Sequence, residues 1–284
     1  MTQTIFKAYN GCKEKLKAAG IEDYVFDSKQ IIKYITGYTN TQILTNYNDS
    51  LTDFQQKNLD EIIEKRVMRY PLQYIFGKWN FYGHDFFVGP GVLIPRADTE
   101  TLVDVCLEHI EKNSSKTLLD LCAGSGCIGI TLAAEKKDTD VILLEKYNEA
   151  IAYIEKNIKL NNVKNVKTFC GDVFSGELSD KKYDLIVSNP PYISEKDMKN
   201  LQAEVRYEPE TALSGGKDGL DFYKAIIDNY KASLNDNGML AFEVGIGQSG
   251  DVKELMEKAG FENIGSSCDI AEIERVVFGT VKSV

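Results

Sequence analysis

Asn189 stands in the run Ser188-Asn189-Pro190-Pro191-Tyr192, the stretch of this 284-residue chain whose residue types select the narrowest chemistry. The apolar run before it, Tyr183-Asp184-Leu185-Ile186-Val187, reads as a buried strand. Neither proline can donate a ladder hydrogen bond, so the strand stops abruptly. Pro190 also pushes Asn189 into an extended conformation. A planar NH2 group, on an amide or an exocyclic base amine, has a delocalised lone pair and is a poor nucleophile. The Asn189 side-chain carbonyl can accept one of its hydrogens and the backbone carbonyl of Pro190 the other. Tyr192 can pack on the flat face, with Pro191 stiffening the turn between them. Two acceptors fixed at that spacing choose NH2 over OH and aim the nitrogen at an electrophile. An ordinary Pro-Pro turn is the competing reading of these five residues alone.

The elements that must position such a turn begin at Thr117, where strands and helices alternate as in a parallel doubly wound sheet. Strands are predicted at 117–121, 141–144, 166–170, 183–187 and 239–244, with two more near 261–265 and 275–281. In an open α/β sheet ligands bind at the carboxyl ends of the strands, which is where Asn189 lies. The first strand runs into Asp120-Leu121-Cys122-Ala123-Gly124-Ser125-Gly126, whose glycines let backbone approach a ligand closely. This is not a full G-x-G-x-x-G, and no Walker-type Lys follows. Asp120 repels phosphate and suits a cationic ligand. Glu145, 25 residues on, can bind both hydroxyls of a ribose. Asp172, followed by Val173 after the third strand, can accept a hydrogen bond from an adenine amine. Ribose, adenine and a positive end without phosphate describe S-adenosylmethionine. A plain strand–helix turn competes with this reading until Glu145, Asp172 and Asn189 are counted with it.

Residues 1–75 read as a small helical domain. One helix covers about Thr4 to Ala19; Asp27 can cap a second that ends at Gly37; Thr52 opens a third, with Leu59, Ile62, Ile63 and Val67 at helical spacing and Pro71 as its stop. Eight aromatics between Tyr70 and Phe87, punctuated by Gly77 and Gly83, predict a β-hairpin connector over 76–95. Arg96 follows in a Pro-anchored loop, and Asp98 or Thr99 can cap the next helix. The NH2-orienting and cofactor chemistry then falls to residues 96–284.

Composition narrows the rest. Residues 1–84 hold 11 Lys/Arg against 9 Asp/Glu, whereas the remainder holds 22 against 34. That acidic main domain disfavours a direct nucleic-acid partner. Six scattered cysteines without a Cys-x-x-Cys read as reduced thiols of a cytoplasmic protein. No stretch approaches the ~18 apolar residues of a membrane span, and Met1–Phe6 does not resemble a signal peptide. With two histidines, far apart, neither a metal site nor a His-based triad is expected.

Four segments carry a family resemblance: Pro71-Leu72-Gln73-Tyr74-Ile75 with its hairpin, Leu93-Ile94-Pro95-Arg96 through Thr99-Glu100, Asn189-Pro190-Pro191-Tyr192-Ile193, and Glu204-Val205 with Tyr207-Glu208-Pro209 through Ala212-Leu213. The chain resembles the HemK (PrmC) protein-glutamine methyltransferases from about Tyr70 to its end, and more loosely before that. The Asn-Pro-Pro-Tyr turn alone is shared with DNA adenine and RNA guanine methyltransferases, so a nucleic-acid amine methyltransferase is the alternative. The resemblance implies a class I S-adenosylmethionine-dependent, Rossmann-like α/β sheet of about seven strands with the last antiparallel. It implies methyl transfer to the Gly-Gly-Gln glutamine of class-1 peptide-chain release factors, with the N-terminal helices docking that substrate. Asn189, Pro190 and Tyr192 are then the catalytic set, with Pro191 and Arg96 on the substrate side. Asp120, Leu121, Cys122, Ala123, Gly124, Gly126, Glu145, Asp172, Val173 and Asn189 are the cofactor set, and a monomer is expected. The sequence departs from the family at Cys122 and Ala123, where Gly and Thr are usual, and at Glu145, where Asp is common.

Overall fold

Hydrophobic runs too short to be helices, the central ones buried on both faces, set the architecture. A computed structural model describes residues 3–282, which fall into two units. Residues 78–202 and 208–284 form the larger; residues 1–77 together with 203–207 form the smaller.

In the larger unit β1 (Lys78–Phe81) and β2 (His84–Phe87) make an antiparallel hairpin. After α6 (Glu100–Asn113), so numbered because five helices precede it in the smaller unit, come β3 (Thr117–Leu121), α7 (Cys127–Glu135), β4 (Asp140–Glu145), α8 (Asn148–Leu160), β5 (Val166–Cys170) and β6 (Tyr183–Ser188). Then follow α9 (Asp221–Tyr230), β7 (Leu234–Glu243), α10 (Ser249–Lys258), β8 (Glu262–Cys268) and β9 (Glu274–Thr280). The seven-stranded sheet has the order β5-β4-β3-β6-β7-β9-β8, with β3 to β7 parallel and β9 antiparallel to both its neighbours.

Strand periodicity sends alternate residues to opposite faces. Leu118, Leu185, Val187 and Ala241 pack with Leu102, Val103, Ile130 and Ile154 of α6, α7 and α8. Leu119, Ile186, Leu240 and Phe242 pack with Tyr223, Ile227, Val252 and Met256 of α9 and α10. Helices therefore cover both faces, as a parallel sheet requires. Phe81 and Phe86 are buried in the first of these cores. The hairpin thus belongs to the sheet unit instead of forming a separate connector. Its mooring is Asn157 on α8, fully buried, which accepts from Phe87 N–H at 2.6 Å and donates to the Phe87 carbonyl at 3.2 Å and the Ser125 carbonyl at 2.9 Å.

The smaller unit packs α1 (Ile5–Ala18), α2 (Tyr24–Thr36), α3 (Asn40–Thr45), α4 (Asp53–Val67) and α5 (Leu72–Phe76) around Leu16, Ile31, Ile32, Leu59, Ile62 and Ile63. Thr52 caps α4 with a reciprocal capping box to Gln55. Two expectations fail here. Asp27 is no cap: α2 starts earlier, at Tyr24, and the Asp27 carboxylate is buried against Arg66 Nε at 2.7 Å. Val67 faces solvent while Arg66 takes the inward position, because that arginine also meets Glu204, of the 203–207 segment, at 3.0 Å. The short α3 and α5 were not anticipated. Among the described residues no helix is long and apolar enough to cross a membrane.

Candidate active site

Strands β3 and β6 pair in parallel, with Leu121 opposite Ser188. The next residues, Cys122 and Asn189, therefore leave the sheet side by side. Ser188 Oγ donates to the Leu121 carbonyl at 2.7 Å and pins the two ends together. Strand order reverses between β3 and β6, and a cleft opens above that switch point. It encloses about 930 Å³, open solvent at its mouth included. Cys122, Ala123, Gly124, Glu145, Asp172, Val173 and Asn189 all line it.

Glu145 is buried at the end of β4. Its Oε2 accepts from Gly124 N–H at 2.8 Å; its Oε1 accepts from Lys146 and Tyr147 N–H at 2.8 and 2.9 Å. Three backbone donors thus orient a carboxylate that has about four lone-pair sites. One strong site remains, on Oε2. Asp172 pairs with Lys146 Nζ at 2.7 Å and accepts from Phe174 N–H at 3.0 Å. Partial burial pushes its carboxyl up, but the Lys146 ammonium and that N–H outweigh burial and hold it below the ordinary carboxylate range.

Among the described residues of the wall, Lys146 is the lone cation, and Asp172 already engages it. Two carboxylates against one ammonium suit a ligand that is itself cationic and carries no phosphate. Gly124, at φ +56°, leaves open space where a Cβ would stand. These features fit S-adenosylmethionine.

The turn itself is braced from behind. Gln248 Nε2 donates to the Tyr192 carbonyl at 3.0 Å. A Cβ on Gly219, at φ +80°, would meet that same carbonyl at 2.4 Å, so glycine is required there. Asn189 Nδ2 donates to Thr99 Oγ1 at 3.4 Å, while its Oδ1 is buried without a protein partner. A buried carbonyl at the edge of a cleft lacks only a donor from a ligand.

Several expected residues sit elsewhere. Asp120 lies beneath the turn, its Oδ2 on Gly129 N–H at 2.9 Å. Burial pushes its carboxyl up to about 7, with the Gly129 N–H opposing and the nearby Glu145 adding to the rise. It is buried and does not line the cleft. Leu121 is buried in the opposite core. Gly126 serves close packing: a Cβ there would come within 2.8 Å of Ile130. Arg96 is tied to buried Glu208, which also accepts from Ile94 N–H at 2.9 Å. Tyr192 is not among the residues lining the cleft, and its hydroxyl donates to Glu243 Oε1 at 3.4 Å. Pro190 is buried under the turn, with Pro191 on the wall. Thr99 takes the N-cap position of α6, without a side-chain cap hydrogen bond. Asp98 pairs with Arg275 at 2.9 Å and Thr99 is engaged by Asn189.

Sequence reasoning passed over Thr99, Tyr147, Phe174 and Phe222, all on the wall. Phe174 and Phe222 meet edge to face at 4.9 Å. The available signal was position: Tyr147 and Phe174 each stand two residues beyond a strand-end carboxylate.

The model of the PrmC N-terminal domain matches residues 7–77, and that of the methyltransferase small domain matches residues 96–217. The chain is 37% identical to a release factor glutamine methyltransferase of Clostridium acetobutylicum, over 96% of this chain and 95% of that protein. It is 37% identical to one of Geobacter sulfurreducens (98% and 97%) and 34% identical to one of Caulobacter vibrioides (98% and 97%). Among solved structures, a methyltransferase of Pyrococcus furiosus has a TM-score of 0.52 at 17% identity, covering 82% of this chain and 100% of that one. The hMettl16 catalytic domain, solved with an RNA hairpin, has a TM-score of 0.55 at 16% identity, covering 89% and 93%. The fold is therefore shared with enzymes of other substrates, and the close relatives narrow the choice. With near-complete coverage at this identity, the chain belongs to the release factor glutamine methyltransferase family.

Proposed function

We propose that this protein transfers a methyl group from S-adenosylmethionine to the side-chain nitrogen (N5) of the glutamine in the Gly-Gly-Gln motif of class-1 peptide-chain release factors. The observation that carries the reading is the buried, unpartnered Asn189 Oδ1 at the edge of the cleft. When bound, S-adenosylmethionine supplies an electrophilic methyl on a sulfonium. The protein's own work is placement. Glu145 receives the ribose, Asp172 the purine edge, and Tyr147 and Phe174 flank the purine. Asn189 Oδ1 and the Pro190 carbonyl accept the two amide hydrogens and turn the nitrogen lone pair toward the methyl group. No side chain need remove a proton beforehand, because the methylated amide nitrogen is strongly acidic and sheds its proton to water. Positioning of this kind supplies ~7–11 kcal/mol of barrier reduction.

Residues 1–77 with 203–207 serve as the docking unit for the release factor, and Arg96 with Pro191 shapes the edge of the substrate groove. The target is a protein and not a nucleic acid, supported by 34 acidic against 22 basic residues after position 84. The enzyme works in the cytoplasm as a monomer, a reading supported on the first point by six unpaired cysteines. The decisive test is incubation with methyl-labelled S-adenosylmethionine and a purified release factor, followed by mass mapping. Label on the Gly-Gly-Gln glutamine is expected; label on RNA or DNA bases instead would overturn the assignment.

A further inference from the structure

An amide side chain has two faces that differ only in which end carries the hydrogens. If Asn189 is to accept from a substrate NH2, something must keep its own NH2 pointing the other way. The backbone cannot, since the Asn189 side chain can rotate about its last bond. Two buried side chains behind the turn are placed to do so. Thr99 is 2% exposed and Glu243 is 3% exposed. Thr99 Oγ1 accepts from Asn189 Nδ2 at 3.4 Å. Glu243, at the end of β7, accepts from Tyr192 OH at 3.4 Å, and its other oxygen is buried without a protein partner; the Thr99 hydroxyl is among the groups that act on this carboxyl.

A threonine hydroxyl has one hydrogen. When that hydrogen points to the Glu243 carboxylate, Thr99 can only accept from Asn189, and Asn189 must turn its NH2 inward and its carbonyl toward the cleft. Without an acid at 243, Thr99 is free to donate to Asn189 Oδ1, which reverses the amide and presents a donor to the substrate's NH2. We infer that Thr99 and Glu243 are positioning residues that fix the orientation of the Asn189 amide, and with it the acceptor seen by the target nitrogen. The inference rests on the role given to Asn189 above.

The charged and titratable groups around Glu243 are consistent with a switchable relay. Tyr192 and Thr99 meet it from the Asn-Pro-Pro-Tyr turn and the start of α6; Arg275 and Asp98 act on it from β9 and the loop before α6. Tyr223 and Cys127 are close enough to be affected by its charge. Burial pushes the Glu243 carboxyl up to about 7, opposed by Thr99 and Arg275. A protonated Glu243 offers Thr99 a weaker acceptor, so turnover should fall as pH drops below about 7.

The test uses the full chain with a purified release factor. Thr99→Val keeps shape and removes the hydroxyl; Thr99→Ser restores it. Thr99→Val is expected to lower kcat by ~10- to 100-fold, the range produced by slight misplacement of a reacting group. KM for the release factor and cofactor affinity should stay within about threefold, and Thr99→Ser should recover most of the rate. Glu243→Met should lower kcat similarly and abolish the fall of rate below pH 7, while melting at an unchanged or higher temperature, since a buried carboxylate is replaced by an apolar side chain of similar size. A merely structural role predicts the opposite pairing, lower stability with intact turnover per folded molecule, and that result would overturn the proposal. If Asn189→Ala is inactive while Thr99→Val and Glu243→Met turn over normally, the relay fails and the role of Asn189 stands. If the wild-type protein does not modify the release factor, the activity assignment itself fails.

Discussion

Glu145→Gln isolates the charge of the cofactor carboxylate with almost no change of shape. In the native site Oε1 accepts from two backbone N–H groups and Oε2 from Gly124 N–H at 2.8 Å. A glutamine can satisfy the Lys146 and Tyr147 donors with its one oxygen, but its NH2 then confronts the Gly124 N–H, donor against donor. The lost hydrogen bond is charge-assisted and nearly buried, worth ~1.5–3 kcal/mol. The apo protein should melt lower by roughly 3–12 °C, using ~2–4 °C per kcal/mol for a domain of this size. Cofactor affinity should drop by about ten- to a hundredfold, because the same oxygen is the one with capacity left for the ribose. Calorimetric titration with S-adenosylmethionine and a melt of the apo protein measure the two effects separately. A folded variant with native affinity would show that the ribose is held elsewhere, and an unchanged melt would show that the Gly124 contact carries no stability.

Asn189→Ala should melt like the native protein and bind cofactor normally, yet lose ~10²-fold or more in single-turnover methyl transfer, with kcat falling more than affinity. Asp120 gives a pH signature: its carboxyl titrates near 7 when folded and near 3.8 as a free side chain, so between those values the native state holds a proton that the unfolded chain has released. Stability is therefore fully present at the acid end and declines as pH rises toward 7; Asp120→Asn should flatten denaturant-measured stability over pH 5–6 by up to ~1.4 kcal/mol per pH unit. Arg66→Ala strands Asp27 as an unpaired buried carboxylate and should cost ~3–5 kcal/mol in the smaller unit. Hydrogen exchange confined to residues 3–77 would read it, and native protection there would remove the ion pair from the account.

The sheet was legible because most of its parallel strands are short apolar runs ending in a polar or glycine signal. Strand three, at 166–170, and the helix ending at Glu135 fall where the pattern puts them. Glu145, Asp172 and Asn189 were findable because strand ends bring them to one edge, whatever the details of packing. What stayed hidden depends on contacts between residues distant in sequence. Asp27 looks like a cap until Arg66, 39 positions away, claims its carboxylate. Nothing in the sequence places the Tyr192 hydroxyl on Glu243, or the Thr99 hydroxyl, at the N-cap of α6, on Asn189, 90 positions on. Asp120 looked cation-facing because spacing cannot say whether a strand-end side chain lies above the turn or beneath it.

Arg66 meets a carboxylate that the ribosome makes 138 residues later. At ~5–20 residues per second, the helical unit waits roughly 7–28 s for the piece that completes it. During that interval the guanidinium has Asp27 alone, and the surface that Glu204 to Tyr207 will cover, where the Tyr207 hydroxyl reaches the Met68 carbonyl at 2.9 Å, is open. The first unit to emerge thus stays incomplete until residue 207 is made, and its closure reports that the strand leading into Asn189 has already been synthesised. Ribosome-stalled chains ending before and after residue 207 should differ in protease sensitivity within residues 60–77; equal sensitivity would show that the early unit is complete without its late segment.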